Sequence, residues 1–334
     1  MKIIGSGTYG CIIKPAIPCK NKKTKKNKVS KIARVKEQNT EYDISTKLFS
    51  YGKKKNIKVQ DYLCLIEDFC EPDVSKLNAT LKKKCSIISE NKKSKKLISL
   101  IMDDCGIILN KMIKNNGCEQ KDFEDIIINL LKGLEILHKN KLVHGDIKEN
   151  NILVKNKKAK LIDFGGSVDI TKYDLVKFLK TLIITSTYVA PELAFLYLIL
   201  NNTIYSENLK ELNLESNHYE YLVNYDRYRM NKLIYDDSGY GYDKLRNQRK
   251  EKKIICDFFD SLEDKKKYEN FLKDFKKNIY KTDIYSLGKA FEYLVLDYKL
   301  KITKKIQILI KKMTHLDFKK RISLKECLDY MKKK

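Results

Sequence analysis

His144, Asp146, Lys148 and Asn151 stand at fixed offsets in the run HGDIKENNILV, residues 144–154. Asp163, opening the run DFG, follows twelve residues beyond Asn151. These residue types suit one chemistry. A carboxylate beside a substrate hydroxyl accepts its proton, and a neighbouring lysine neutralises a phosphate in transit. An amide and a second carboxylate hold a divalent cation between phosphates. A polar loop and an unrelated turn would have to reproduce every one of these spacings by accident.

Phosphates also need a cradle and a cation. GSGTYG places Gly5, Ser6, Gly7 and Gly10 near the start, with glycines that let the backbone approach phosphates and leave N–H groups to bond them. The flanking runs read as strands on both sides, which favours a phosphate-covering hairpin over a strand-to-helix dinucleotide turn. Lys31, flanked by Val29 and Ile32, is the candidate cation on a half-buried strand, with Lys28 as the alternative. A buried lysine needs a carboxylate. Glu41 on the next helical segment can supply it, and Glu37 is the runner-up.

The elements that must position these groups follow from the pattern. Strand, turn and strand open the chain, then a lysine-rich loop at residues 19–28, a strand in VSKIARV and a helix over 41–49. Residues 62–69 and 97–102 read as strands separated by a lysine-rich loop at 82–96. From residue 106 onward the texture is helical, with apolar residues at helical spacing over 123–140, 283–296, 304–314 and 323–331. The segment between Leu200 and Lys281 is rich in Tyr, Asn and charge and shows weak punctuation.

Composition narrows the class. The chain has 334 residues and is 43% hydrophobic, enough for a sizeable core. Its formal net charge of +26 comes almost wholly from lysine, with six arginines: 34, 227, 229, 246, 249 and 321. A nucleic-acid surface recruits arginine for bidentate contacts, so a solvated lysine surface is the plainer reading of the charge. Nucleic acid stays a compatible partner, and the tyrosines at 205–242 with interleaved Lys and Arg would suit it or a protein. Nine cysteines are scattered singly, with no CxxC pair or zinc spacing, so reduced thiols in a cytoplasmic compartment are expected. No leader segment is expected at the start. The longest apolar run, Leu193 to Leu200, is too short to span a bilayer.

These motifs together resemble the eukaryotic-type serine/threonine protein kinases over nearly the whole chain. The glycine loop, Lys31, Glu41, HGDIKENN, DFG, YVAPE, DIYSLG and Arg321 in FKKRIS occur in the family's order. The resemblance implies an α+β, two-lobed kinase fold over residues 1–334, with an N-lobe at 1–105, a C-lobe at 106–334 and an insertion at about 201–281. It implies ATP and Mg2+ as cofactors and a protein substrate bearing Ser or Thr. Gly5, Ser6, Gly7 and Gly10 would cover the phosphates. Lys31 would hold the α- and β-phosphates and pair with Glu41. Asp146 would be the base and Lys148 its partner at the γ-phosphate. Asn151 and Asp163 would bind magnesium. Met102 would back the adenine pocket, and Asp103 to Cys105 would be the hinge whose backbone bonds adenine. Asp283 would brace the catalytic loop, and Arg321 would pair with Glu192.

Four departures stand out. Gly145 replaces the family's HRD arginine, which commonly pairs with an activation-loop phosphate, so control without that phosphate is expected. The short Lys31–Glu41 spacing suggests a late or stubby helix. The first strand is expected to be short, with four residues before Gly5. The long segment after Glu192 exceeds the family's usual link. With the Lys/Asn/Ile bias, these features are similar to kinases of large DNA viruses. A pseudokinase scaffold is the alternative function.

Overall fold

The computed structural model describes residues 1–7, 10–20, 27–35, 39–89, 96–171, 175–181, 185, 187–194, 196 and 265–333. The strands are β1 (Lys2–Gly7), β2 (Gly10–Lys14), β3 (Lys28–Arg34), β4 (Ile66–Cys70), β5 (Leu97–Asp103), β6 (Ile107–Ile108), β7 (Leu142–Val143), β8 (Ile152–Lys155), β9 (Lys158–Leu161) and β10 (Val168–Asp169). The helices begin with α1 (Asn39–Lys55), α2 (Ala79–Lys84), α3 (Ser86–Ser89), α4 (Leu109–Asn116), α5 (Gln120–Lys139) and α6 (Leu175–Thr181). They continue with α7 (Lys265–Asn278), α8 (Lys281–Asp297), α9 (Lys304–Met313) and α10 (Leu324–Lys332). The chain divides into two compact units. One comprises residues 1–112 and 152–165, the other residues 113–151 and 166–334.

The first unit is built on an antiparallel sheet in the order β1-β2-β3-β5-β4. Side chains alternate across a sheet, and here both faces are covered. Cys11, Ile13 and Ile32 face one cluster with Leu77, Cys85 and Ile87, while Val29, Leu100 and Met102 face another with Cys64, Ile66 and Cys105. This explains why β3 is buried almost throughout although its residues read as a half-buried strand. A smaller sheet in the order β6-β8-β9 belongs to the same unit.

Several expectations change at this level. The helix bearing Glu41 is not stubby: it runs for 17 residues. Lys53, Lys54 and Lys55 complement its C-terminal dipole, and Asn56, at φ 53°, closes it in the left-handed conformation. β1 likewise runs for six residues, because it continues through Gly5 to Gly7 rather than ending before the glycines. The stretch read as a loop at 82–96 begins with α2 and α3 instead. Asn78 caps α2 by accepting from the Leu81 N–H, at 2.9 Å.

The thiols are the plainest correction. Six of the nine cysteines are paired, as Cys11–Cys85, Cys19–Cys70 and Cys64–Cys105, all within the first unit. The partners lie 74, 51 and 41 residues apart, so no local spacing announces them. Cys256 lies outside the described residues.

The second unit is helical. α5 buries Phe123, Ile126, Ile127, Leu130, Leu131, Leu134 and Leu137, the three-and-four spacing of one helix face. Phe123 meets Phe291 of α8 edge-on, with ring centroids 5.7 Å apart. Gly288 of α8 packs on α9 so closely that an added Cβ would lie 2.8 Å from the Met313 Cβ. A capping box of Ser323 and Glu326 starts α10. Of the expected insertion, residues 201–264, with the tyrosines at 205–242, lie outside the described residues. Its end carries α7, whose Phe271, Leu272 and Phe275 enter a core with Phe178, Leu193 and Phe318. No helix among the described residues is long and apolar enough to cross a membrane.

Candidate active site

Two groups of side chains converge, one in each unit. In the first unit, β1 and β2 bring the glycine-rich residues into a hairpin, with Gly7 opposite Gly10, Ser6 opposite Cys11 and Gly5 opposite Ile12. Its tip, Thr8 and Tyr9, lies outside the described residues. Gly10 lies against β3, where an added Cβ would stand 2.6 Å from the Ile32 carbonyl oxygen.

Beside this hairpin, β3 delivers Lys31. Its ammonium donates to Glu41 Oε2 at 2.7 Å and to Asp163 Oδ1 at 2.9 Å. Lys31 and Glu41 are buried, whereas the Asp163 side chain is 41% exposed. Burial by itself would lower the lysine, but the charges of Glu41 and Asp163 outweigh it and hold the ammonium above its ordinary value. Asp163 is in the left-handed region at φ 64°, a sparsely populated conformation of the kind that collects at functional sites.

Of the two alternative residues at this position, one is placed by the structure. Lys28 points to Glu67 and Asp103, each at 2.6 Å, and takes no part in the Lys31 cluster. Glu37 lies outside the described residues.

Also in this unit, β5 ends at Met102 and Asp103, followed by Asp104, Cys105 and Gly106. Met102 is buried in the core cluster under β3. Burial raises the Asp103 carboxyl, yet the hydrogen bond from Lys28 holds it below its usual value. Asp104 pairs with Lys14 at 2.6 Å and accepts from the Gly106 N–H at 3.2 Å. Gly106 has φ 103°, and an added Cβ would fall 2.0 Å from the Val154 carbonyl oxygen, so only glycine fits against β8 there. Cys105, a candidate hinge residue, is bonded to Cys64.

In the second unit the catalytic-loop candidates meet. Lys148 donates to both Asp146 oxygens, at 3.0 and 2.8 Å. Asn151 donates through its amide nitrogen to the Asp146 carbonyl at 2.8 Å and to its carboxylate at 3.1 Å. The Thr185 hydroxyl donates to Asp146 Oδ1 at 2.7 Å and accepts from Lys148 at 3.1 Å. A hydroxyl therefore already sits between this carboxylate and this ammonium at hydrogen-bonding distance. A shallow depression beside them is lined by Gly145, Thr185, Tyr188, Val189 and Leu193.

Asp283 of α8 holds this loop from below. It accepts from the backbone N–H of His144 at 2.9 Å and of Gly145 at 3.0 Å, and its Oδ2 lies 3.0 Å from His138 Nε2. Burial pushes its carboxyl up, but the His138 hydrogen bond and the nearby histidines and backbone N–H outweigh that and hold it below the ordinary range. Gly145 is left-handed at φ 79°, a conformation an arginine would adopt only under strain. Glu192 and Arg321 form a bidentate pair at 2.6 and 3.0 Å, both almost fully buried. Arg321 also donates to the carbonyls of His315 and Lys281, at 2.9 Å each, and lies 4.7 Å from the Tyr285 ring centroid.

Sequence reasoning missed two partners in this unit. His138 carries no motif and is found only as the third contact of Asp283. Glu149, buried inside HGDIKENN, accepts a hydrogen bond from the Tyr188 hydroxyl of YVAPE. The co-occurrence of the two motifs was the signal that could have suggested that contact.

The protein kinase domain family matches residues 1–209. The chain therefore belongs to the protein kinase family, of eukaryotic type. It is 31% identical over 165 residues to the CTD kinase subunit alpha of Saccharomyces cerevisiae, covering 48% of this chain and 26% of that protein. It is 43% identical over 90 residues to mitogen-activated protein kinase kinase kinase 8 of Rattus norvegicus, covering 26% of this chain and 18% of that protein. It is 44% identical over 69 residues to a protein of Acanthamoeba polyphaga mimivirus that bears the name putative serine/threonine-protein kinase, covering 20% of this chain and 13% of that protein. The chain thus matches about a quarter or less of the length of these relatives.

Proposed function

We propose that this chain transfers the γ-phosphoryl group of MgATP to Ser or Thr hydroxyls of protein substrates. The observation that carries the reading is the Lys31 ammonium held between Glu41 and Asp163, because a cation so placed is what nucleotide phosphates need. Lys31 grips the α- and β-phosphates under the Gly5, Ser6, Gly7 and Gly10 hairpin. Met102 backs the adenine, and the backbone of Asp103 to Cys105 bonds its edge. Asp146 accepts the substrate's hydroxyl proton while Lys148 offsets charge on the phosphate. The position of the Thr185 hydroxyl supports this assignment.

The donor set fits magnesium. Among the described residues no three or more His, Cys, Asp or Glu converge as a ready cage. Magnesium instead favours one or two protein oxygens together with substrate phosphates. The exposed side of Asp163 is such an oxygen donor, and so is Asn151, whose amide nitrogen is engaged with Asp146, leaving its oxygen for the cation. A cation held by either residue together with substrate phosphates would neutralise charge between the β- and γ-phosphates.

Gly145 supplies no cation for an activation-loop phosphate, so activity does not depend on one. The test is labelled MgATP with mixed basic and acidic protein substrates, before and after phosphatase treatment of the enzyme. Label on Ser or Thr that survives the treatment is expected. Label on Tyr, or activity abolished by the phosphatase, contradicts the corresponding part of the reading.

A further inference from the structure

The Cys64–Cys105 bond adjoins the expected hinge, and the hinge reading uses only the backbone there and gives the two sulfurs no role. Both residues are buried, at 5% and 3% exposure, so their bond is sheltered inside the unit. Cys64 is fastened on its other side to β9. Its N–H donates to the Leu161 carbonyl at 2.9 Å, and the Leu161 N–H returns to the Tyr62 carbonyl at 3.1 Å. Leu161 stands two residues before Asp163, which holds Lys31. The Cys64 Sγ also lies 3.8 Å from the Asp103 carbonyl oxygen. One covalent bond to Cys64, continued by the backbone hydrogen bonds of Tyr62 and Cys64 to Leu161, therefore links the segment Asp103 to Cys105 to the strand that leads into Asp163. Without it, the connection from β5 to β6 is held by ion pairs of the half-exposed Asp103 and the more buried Asp104 and by Gly106 against β8.

We propose that Cys64 and Cys105 are positioning residues for adenine nucleotide, acting through their disulfide, so that nucleotide affinity follows their oxidation state. This rests on the reading of Asp103 to Cys105 as the adenine-binding backbone. A preformed backbone binds without first being ordered, and a cross-link supplies that order. The chemistry is thiol–disulfide exchange with a low-molecular-weight disulfide such as oxidised glutathione. The two Cys S–H bonds break, one S–S bond forms, and the oxidant's S–S bond accepts two electrons and two protons to leave as two thiols.

The test uses the full chain. Peptide mapping without reductant establishes whether Cys64 and Cys105 are bridged, and calorimetric titration with MgATP gives Kd. Three proteins are compared: oxidised wild type, the Cys64→Ser/Cys105→Ser double variant, and the Cys19→Ser/Cys70→Ser double variant. The expected result is that the hinge variant binds about tenfold more weakly than wild type. The Cys19→Ser/Cys70→Ser protein should lose thermal stability yet keep the wild-type Kd. If the hinge variant does not fold, wild type titrated across a glutathione redox series gives the same readout, with Kd tracking the bridged fraction. Equal Kd for wild type and hinge variant, equal weakening in both double variants, or unbridged Cys64 and Cys105 in oxidised protein each overturns the proposal. If oxidised, bridged wild type binds no MgATP at all, it is the adenine-site reading that fails, and this proposal fails with it.

Discussion

At the scale of single residues, the site depends on charges held in specific company. Lys31 has two carboxylates on one ammonium, so Lys31→Met leaves Glu41 buried without its cation. We expect this variant to lose most nucleotide affinity and turnover while retaining its secondary structure, as checked by circular dichroism beside MgATP titration. Gly145 makes the opposite kind of prediction. Its φ of 79° is free for glycine and strained for any other residue, so Gly145→Ala should cost about 1–2 kcal/mol of stability in denaturant titration. An unchanged midpoint would mean that the loop is not held in this conformation.

Among elements, the second unit is tied by contacts far apart in sequence. Arg321 and Glu192 are 129 residues apart and form a buried bidentate pair. Arg321→Lys cannot reproduce the fork, and it should cost about 3 kcal/mol or more, read as a shift in urea midpoint. α7 offers a test of the end of the expected insertion. Phe275 is buried against Phe318, so Phe275→Ala should destabilise by about 3–5 kcal/mol if α7 is part of the core, and by little if it is a surface addition.

These elements also show what could be read in advance. Lys31 with Glu41 was legible because a buried lysine demands a carboxylate, whereas Arg321 with Glu192 was legible only through the resemblance to the kinase family. α5, α8, α9 and α10 were legible because their apolar residues keep helical spacing. α7 carries the same signal in Tyr268, Phe271, Leu272 and Phe275, at i, i+3, i+4 and i+7, but lysines and acidic residues around them swamp it. The disulfides were invisible for a different reason. Each joins cysteines that only the antiparallel pairing of distant strands, or the packing of α3 on that sheet, brings together.

For the whole molecule, stability and activity should share one acid-sensitive anchor. Asp283 has a depressed carboxyl value in the folded chain, so the unfolded chain binds its proton more readily. Its contribution is fully present above the unfolded value, about 3.9, and is lost as pH falls from there through the lower folded value. Asp283→Asn should flatten the acid limb of the melting-temperature profile below about pH 4. A variant whose profile parallels wild type would show that the anchor titrates elsewhere. Gly145 offers no side-chain cation to an activation-loop phosphate, and phosphatase treatment should leave activity unchanged.

The decisive measurement is transfer of label from γ-labelled MgATP by purified wild type and by Asp146→Asn, both verified as folded and nucleotide-binding. Wild type should label Ser or Thr of protein substrates, and Asp146→Asn should be slower by about 100-fold to 10,000-fold, the range of a lost general base. Two folded, nucleotide-binding proteins that both transfer nothing would contradict the enzyme and leave a kinase-shaped scaffold in its place.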